Sequence, residues 1–219
     1  MLDDLDFSVI WGNLDFLIEG LGLSLWLTFL AICAGLVFGT LLALCRLSSI
    51  GPLSFIAATY VNFLRSMPLI LVIFWLYFLV PVMTGQPVGT FYSVLIAFAM
   101  FESAYFCEII RAGIQSVKKG QVYAGEALGM TYKQNMQYII LPQAFRNMIP
   151  ILMTQAIVLF QDTALVYVVG LADFFVVANR IAIIEGRLIE VYIFVALVYF
   201  ILCLLATLVV RNLQRKYSL

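Results

Sequence analysis

The three longest uncharged stretches of this chain set the first pattern. They run from Gly20 to Cys45 between Glu19 and Arg46, from Ser66 to Phe101 between Arg65 and Glu102, and from Val191 to Val210 between Glu190 and Arg211. A helix needs roughly 20 apolar residues to cross the hydrocarbon core of a bilayer. Two further apolar runs, about 88–112 and 137–160, hold a few polar residues each. Together with a run at about 53–80, the pattern predicts five transmembrane helices, because an isolated strand would leave its backbone groups unsatisfied in lipid. Between the third and fourth spans, Gly120 to Pro142 (GQVYAGEALGMTYKQNMQYIILP) is polar and of helical character. A membrane protein that holds such a helix outside the bilayer usually presents it to a soluble partner.

Composition agrees with the pattern. Of 219 residues, 64% are hydrophobic and 11% charged, too few charges to cover a soluble domain. Basic residues cluster at Arg46, at Arg111, Lys118, Lys119, Lys133 and Arg146, and at Arg211, Arg215 and Lys216. These are the ends of spans one, three and five, so the positive-inside rule expects them in the cytoplasm. The N-terminus, the 82–90 loop and the 173–190 region are then expected outside. Arg180 and Arg187 run against that trend, but beside Asp173, Glu185 and Glu190. The first residues are acidic, with no base before Arg46, and so do not read as a secretion signal. There is no histidine, which removes the commonest metal ligand and general base. Cys33, Cys45, Cys107 and Cys203 lie in apolar runs with no paired spacing and read as packing residues. No catalytic residue and no metal site is expected.

Residues 1–20 set Phe7, Ile10, Trp11, Leu14, Phe16 and Leu17 among acids, the pattern of a short amphipathic segment on the outer membrane surface with Trp11 as anchor. In the second span, Arg65-Ser66-Met67-Pro68 puts a charge beside a helix-breaking proline. Such a break reads either as the lining of a cavity or as a helix end whose arginine reaches the head groups. Glu108 and Arg111, three apart, are expected to pair. Glu102 has no such local partner and needs a cation, a hydrogen-bond network or water. Gln161-Asp162-Thr163 closes the fourth span, with Asp162 either an interfacial helix-end acid or a cavity residue. Residues 171–187 read as a short re-entrant or interfacial helix.

The polar segment carries a recognisable spacing. Gly129, Ile139, Leu141 and Pro142 match the Glu-Ala-Ala, Gly, Ile, Leu-Pro signature of importer permeases of the ATP-binding-cassette class. Ala124 matches the first alanine, Tyr123 stands where glutamate is usual, and Gly125 stands where the second alanine is usual. Arg65-Ser66-Met67-Pro68-Leu69, Ala104-Tyr105, Glu108-Ile109, Arg111, Gly113-Ile114, Ser116-Val117, Gly120-Gln121 and Leu141-Pro142-Gln143-Ala144-Phe145 resemble the polar-amino-acid branch of that class. Gln161-Asp162-Thr163 with Leu165 is similar to the glutamate/aspartate import permeases. The resemblance covers residues from about 20 to 210.

The resemblance implies an all-α type I importer permease fold with five transmembrane helices, the N-terminus out and the C-terminus in. Residues 1–20 form the periplasmic segment and 21–219 the transmembrane domain. A cytoplasmic coupling helix at about 118–134 would dock on an ATPase. Gly120, Tyr123, Ala124, Gly125, Glu126, Gly129, Ile139, Leu141 and Pro142 would form or support that contact, with Ala124, Gly125 and Gly129 small enough for close approach and Pro142 at the start of the next span. The implied partners are a dimer of cytoplasmic ATP-binding subunits, a second permease (a related chain before a second copy), a periplasmic substrate-binding protein and membrane lipid, with no nucleic acid. ATP and magnesium belong to the ATPase; this chain has no Gly-rich phosphate loop and binds no cofactor. The bacterial inner membrane is the implied location. For a zwitterionic substrate, Arg65 could take a carboxylate, Glu102 or Asp162 the ammonium, and Ser66, Gln161 and Thr163 neutral hydrogen bonds. Acidic amino acids are the first expectation and glutamine or basic amino acids the second. A channel or receptor is the competing class; it would need neither the spaced signature nor an ATPase.

Overall fold

The computed structural model describes residues 5–217, and they are helical throughout except for short connections. The helices are α1 (Ser8–Gly12), α2 (Leu14–Leu47), α3 (Gly51–Arg65), α4 (Leu69–Thr84), α5 (Thr90–Gln115), α6 (Lys119–Ala127), α7 (Tyr132–Val169), α8 (Phe174–Ile184) and α9 (Leu188–Tyr217). By length and composition α2, α5, α7 and α9 can each cross a bilayer, and α3 with α4 supplies a fifth, broken crossing. The five expected spans are therefore met, four of them by single helices.

The break at Arg65-Ser66-Met67-Pro68 is sharper than a kink. α3 stops at Arg65, α4 starts at Leu69, and the two are bent by 105°. Proline disfavours helical geometry in the residue before it and has no N–H to continue the ladder. Pro68 instead caps α4 in an extended conformation and its carbonyl accepts from the Leu71 N–H at 3.0 Å.

Three other prolines are absorbed without a stop, and one of them, Pro150, lies inside α7 with regular helix on both sides. Pro81 follows a π turn at Trp75–Leu79, and Pro142 follows one at Met136–Ile140. The wider turn makes room for the ring and for the carbonyl that loses its donor. This corrects the expectation that Pro142 begins a span. The helix begins ten residues earlier, at Tyr132, under a capping box made by Thr131 and Gln134. The segment at about 118–134 is likewise two helix pieces, α6 and the first turn of α7.

The chain divides into two compact units. Among the described residues, one comprises 5–32, 68–98 and 156–208, the other 33–67, 99–155 and 209–217. In the first, Ile10, Leu17, Phe174, Ala178, Ile181, Ala182, Val191 and Val195 form a core that joins α1, α2, α8 and α9. The amphipathic start of the chain is thus a five-residue helix clipped onto this core by Ile10, with Trp11 outside. Residues 1–4 of the expected outer segment lie outside the described residues. In the second unit, glycines set the spacing. A Cβ at Gly35 would stand 2.9 Å from the Glu102 Cβ, and one at Gly39 would stand 2.8 Å from the Phe106 Cβ. These absences let α2 lie directly on α5.

Asp173 joins α8 to α2 in the first unit. It is fully buried. One carboxylate oxygen accepts from the Val176 N–H at 2.8 Å, capping α8, and the other accepts from the Ser24 hydroxyl at 3.3 Å. The Phe174 N–H donates back to the Ser24 oxygen at 3.1 Å. Burial pushes this carboxyl up from 3.8 to about 6, against the lowering effect of its hydrogen bonds. A raised carboxyl favours the folded state when protonated. Its contribution is complete below 3.8 and is lost as pH rises through about 6. The shift corresponds to about 3 kcal/mol. Asp173→Asn keeps a capping oxygen, so the variant should lose the wild type's gain in melting temperature between pH 7 and pH 5. Parallel pH curves for the two proteins would show that Asp173 does not titrate in this window.

Candidate functional site: a presented hairpin and two polar clusters

The signature segment folds as a helical hairpin. α6 ends at Ala127, and the chain reverses through Gly129, whose φ is +75°. The Met130 N–H donates to the Gly125 carbonyl at 3.1 Å and the Gly129 N–H to the Glu126 carbonyl at 2.9 Å, so the last carbonyls of α6 are satisfied. Nothing stands within 4 Å of a Cβ at Gly129, so its requirement within this chain is the left-handed backbone and not space. Gly125 is the opposite case. A Cβ there would meet the Asn135 side-chain oxygen and the Ile139 Cδ1, each at 2.8 Å. Asn135 is buried and donates to the Val122 carbonyl at 2.9 Å, which binds α7 to α6. The glycine where alanine is usual therefore makes room for an asparagine ten residues on.

This backbone presents one face outward. Tyr123, Leu128 and Tyr132 are 61%, 81% and 79% exposed. Gly120, Ala124, Glu126 and Gly129 are exposed beside them, while Ile139 and Leu141 are half-buried and Pro142 is exposed.

The second feature is an ionic knot in the second unit. One oxygen of Glu108 receives Arg46 directly and has Arg65 at 3.8 Å. The other receives Arg111 twice, at 2.7 and 3.2 Å. The expected Glu108–Arg111 pair is present, but α2 and α3 each add an arginine to it. Arg65 also lies over the Tyr105 ring, 5.4 Å from its centroid. Ser66 donates to the Asn62 carbonyl at 2.7 Å and closes α3.

Glu102 lies on the same helix as Glu108 and is fully buried. Gln155 of α7 donates to it at 3.2 Å. Its neighbour Ser103 shares a 3.2 Å hydrogen bond with Tyr60 of α3. Three helices thus converge on this polar level of α5. Gln155 and Arg46 were not among the sequence candidates. Both lie on other helices, so no spacing within α5 could have indicated them.

Gln161, Asp162 and Thr163 belong to the first unit. Thr163 is fully buried and donates to the Phe160 carbonyl at 2.8 Å. Gln161 is exposed and lines a cavity of about 500 Å³ with Phe175, Tyr192 and Tyr199. Asp162 is half-buried at the junction of the α-helical and 3₁₀ parts of α7. Among the described residues no group of His, Cys, Asp and Glu could hold a metal ion.

Long apolar helices, one broken crossing and a capped polar hairpin between two crossings define a multi-span membrane permease subunit. The chain belongs to the family of binding-protein-dependent transport system inner membrane components, which matches residues 35–219. It is 47% identical to the glutamate/aspartate import permease protein GltK of Escherichia coli O6:H1, across 97% of this chain and 98% of that protein. It is 34% identical to the arginine transport system permease protein ArtQ of Bacillus subtilis, across 97% of each. Its fold matches the crystal structure of an amino acid ABC transporter with histidines, with a TM-score of 0.92 and 36% identity, covering 97% of this chain and 99% of that one.

The hairpin yields a direct test. Gly125→Ala should displace Asn135 from Val122 and destabilise the α6–α7 turn by about 1–3 kcal/mol. Combining it with Asn135→Gly should relieve the overlap and recover part of the loss. Hydrogen exchange at the Leu128 and Met130 amides reads the turn directly; unchanged protection in Gly125→Ala would show that the overlap is not felt.

Proposed function

We propose that this chain is the permease subunit of an ATP-driven importer of acidic amino acids in a bacterial inner membrane. The 47% identity to the glutamate/aspartate import permease over nearly the whole chain carries this reading. The relatives named for arginine (34% identity) and for glutamine (34% and 30%) are less similar, which keeps basic amino acids and glutamine as the second reading.

On this reading the α6–α7 hairpin faces the cytoplasm and docks on one subunit of an ATPase dimer, where Tyr123, Leu128 and Tyr132 supply its apolar contact area. ATP and magnesium act on that subunit, and this chain holds neither. A second permease faces this one across the pathway, and a periplasmic binding protein delivers the amino acid. ATP binding closes the ATPase pair and moves the hairpins; the permease pair opens outward, and hydrolysis resets it. Such a switch needs a hairpin that moves as one body. The capping box, the Gly129 turn and the Asn135–Val122 bond support that rigidity.

Glu102 is the first candidate for the substrate ammonium, because it is buried, packs against Gly35 of α2 and accepts from Gln155 of α7. Arg65 is a weaker candidate for a carboxylate than its sequence context implies, since Glu108 and Tyr105 already engage it. Ser66, in the same unit as Glu102, remains a candidate for a neutral contact; Gln161, Asp162 and Thr163 belong to the other unit and are candidates by their sequence context alone.

Uptake by the importer in proteoliposomes with its binding protein tests the substrate: glutamate and aspartate should compete for uptake at lower concentrations than glutamine or arginine. The reverse order would assign the second reading. Gly129→Val should leave membrane levels and ATP hydrolysis intact while uptake falls by about tenfold or more, because a β-branched residue is strained at this φ. Glu102→Gln preserves shape and an acceptor for Gln155, and should raise the substrate KM. Normal KM together with normal rate would remove Glu102 from the site.

A further inference from the structure

A groove between α2 and α8 belongs neither to the hairpin nor to the polar clusters. It is a cavity of about 520 Å³ within the first unit. Phe16 and Leu23 lie on its α2 wall, and Val177, Ile181 and Ile184 on its α8 wall. The α8 positions recur at intervals of three and four residues and so form one helical face. The two helices touch at Gly20, where a Cβ would stand 3.0 Å from the Asp173 carbonyl oxygen and 3.1 Å from the Val177 side chain.

Two opposite charges line this cavity, Glu19 from α2 and Arg180 from α8. They do not pair with each other. The ion pairs among the described residues use Arg46, Arg65, Arg111 and Arg187. Arg180 instead donates one N–H to the Gly170 carbonyl at 3.2 Å, leaving other guanidinium donors for an anion. An anion-seeking and a cation-seeking group therefore share one pocket over apolar walls.

Their depth is set by α2. Its 34 residues make a helix of about 51 Å, well beyond the roughly 30 Å hydrocarbon core. Glu19 is the last charge before the uncharged run from Gly20 to Cys45, so it stands where α2 enters the hydrocarbon. Leu23 lies one turn further in. At the end of α8, Ile183 and Ile184 are 64% and 80% exposed, an apolar edge with no cover from this unit.

We propose that this groove holds one phospholipid with a zwitterionic, primary-ammonium head group. Its phosphate lies on Arg180, its ammonium donates to Glu19, and an acyl chain covers Phe16, Leu23, Val177 and Ile184. A free amino acid would offer the same two charges but would leave the apolar walls and the head-group depth unexplained.

The test uses the purified importer, this chain with its partner subunits, incubated with equal amounts of phosphatidylethanolamine and phosphatidylcholine of identical chains. Native mass spectrometry then counts the retained lipid. The choline nitrogen is quaternary and has no N–H for Glu19, so the wild type should retain phosphatidylethanolamine with about tenfold preference. Glu19→Gln should abolish that preference. Arg180→Gln should lower retention of both lipids, and Arg180→Lys should restore part of it. Both side chains are exposed, and the variants should melt with the wild type when lipid is absent. Equal retention of the two lipids by the wild type would overturn the proposal, whatever the variants do. So would displacement of the lipid by millimolar glutamate, or unchanged preference in Glu19→Gln.

Discussion

In hydrocarbon every backbone N–H and C=O must find its partner inside the helix, and the rest of this structure follows from that constraint. Each place where the chain departs from regular helix is one where the constraint is relaxed by a wider turn, by another helix, or by leaving the lipid. Pro81 and Pro142 keep their helices because a π turn precedes each. Pro68 cannot, because the chain turns through 105° at that point. The open end of α3 is closed locally: the Ser66 hydroxyl donates to the Asn62 carbonyl, and the Ser66 N–H reaches the same carbonyl. The polar hairpin needs full capping at both of its helix ends for a related reason. Its sequence is polar, and hydrogen bonds with one buried asparagine hold its shape.

Charge obeys a similar economy. Three guanidinium groups meet a single carboxylate at Glu108, and Arg46 and Arg65 both sit in the last turns of their helices. Each of those two positions places a cation at the negative end of a helix dipole, so Glu108 does not neutralise them alone. The knot ties the end of α2, the end of α3 and the body of α5. Arg65 stands at a helix end: it is the last residue of α3, and it turns to a carboxylate and an aromatic ring of α5.

Much of this was legible from residue order. Uncharged runs locate the spans because hydrocarbon tolerates little else, and the five expected spans correspond to α2, the broken α3–α4 pair, α5, α7 and α9. The spacing from Gly129 to Pro142 pointed to the family because it is a property of residue order alone. Contacts between distant segments were less legible. Nothing near Glu102 in sequence indicates Gln155, and nothing near Glu108 indicates Arg46, because helix packing creates those pairs. The role of Pro142 was misread for a different reason. A proline near an apolar boundary usually starts a helix, and the π turn before Pro142, invisible in a one-dimensional pattern, carries the helix through it.

The two glycines of the hairpin show how one signature can hide two kinds of requirement. Gly129 is needed for its φ and touches nothing; Gly125 is needed for its missing Cβ and has ordinary helical geometry. An alanine at 125 would demand a smaller residue at 135, and a smaller residue there would give up the bond to Val122. The departure from the usual alanine is therefore coupled to Asn135 and strengthens the link between α6 and α7. Tyr123, the other departure, lies on the exposed face and changes nothing inside the hairpin. One substitution rearranges the inside of the hairpin and the other alters the surface it offers. A compensating change for Gly125 is found within this chain at Asn135, and one for Tyr123 belongs on whatever surface the hairpin meets.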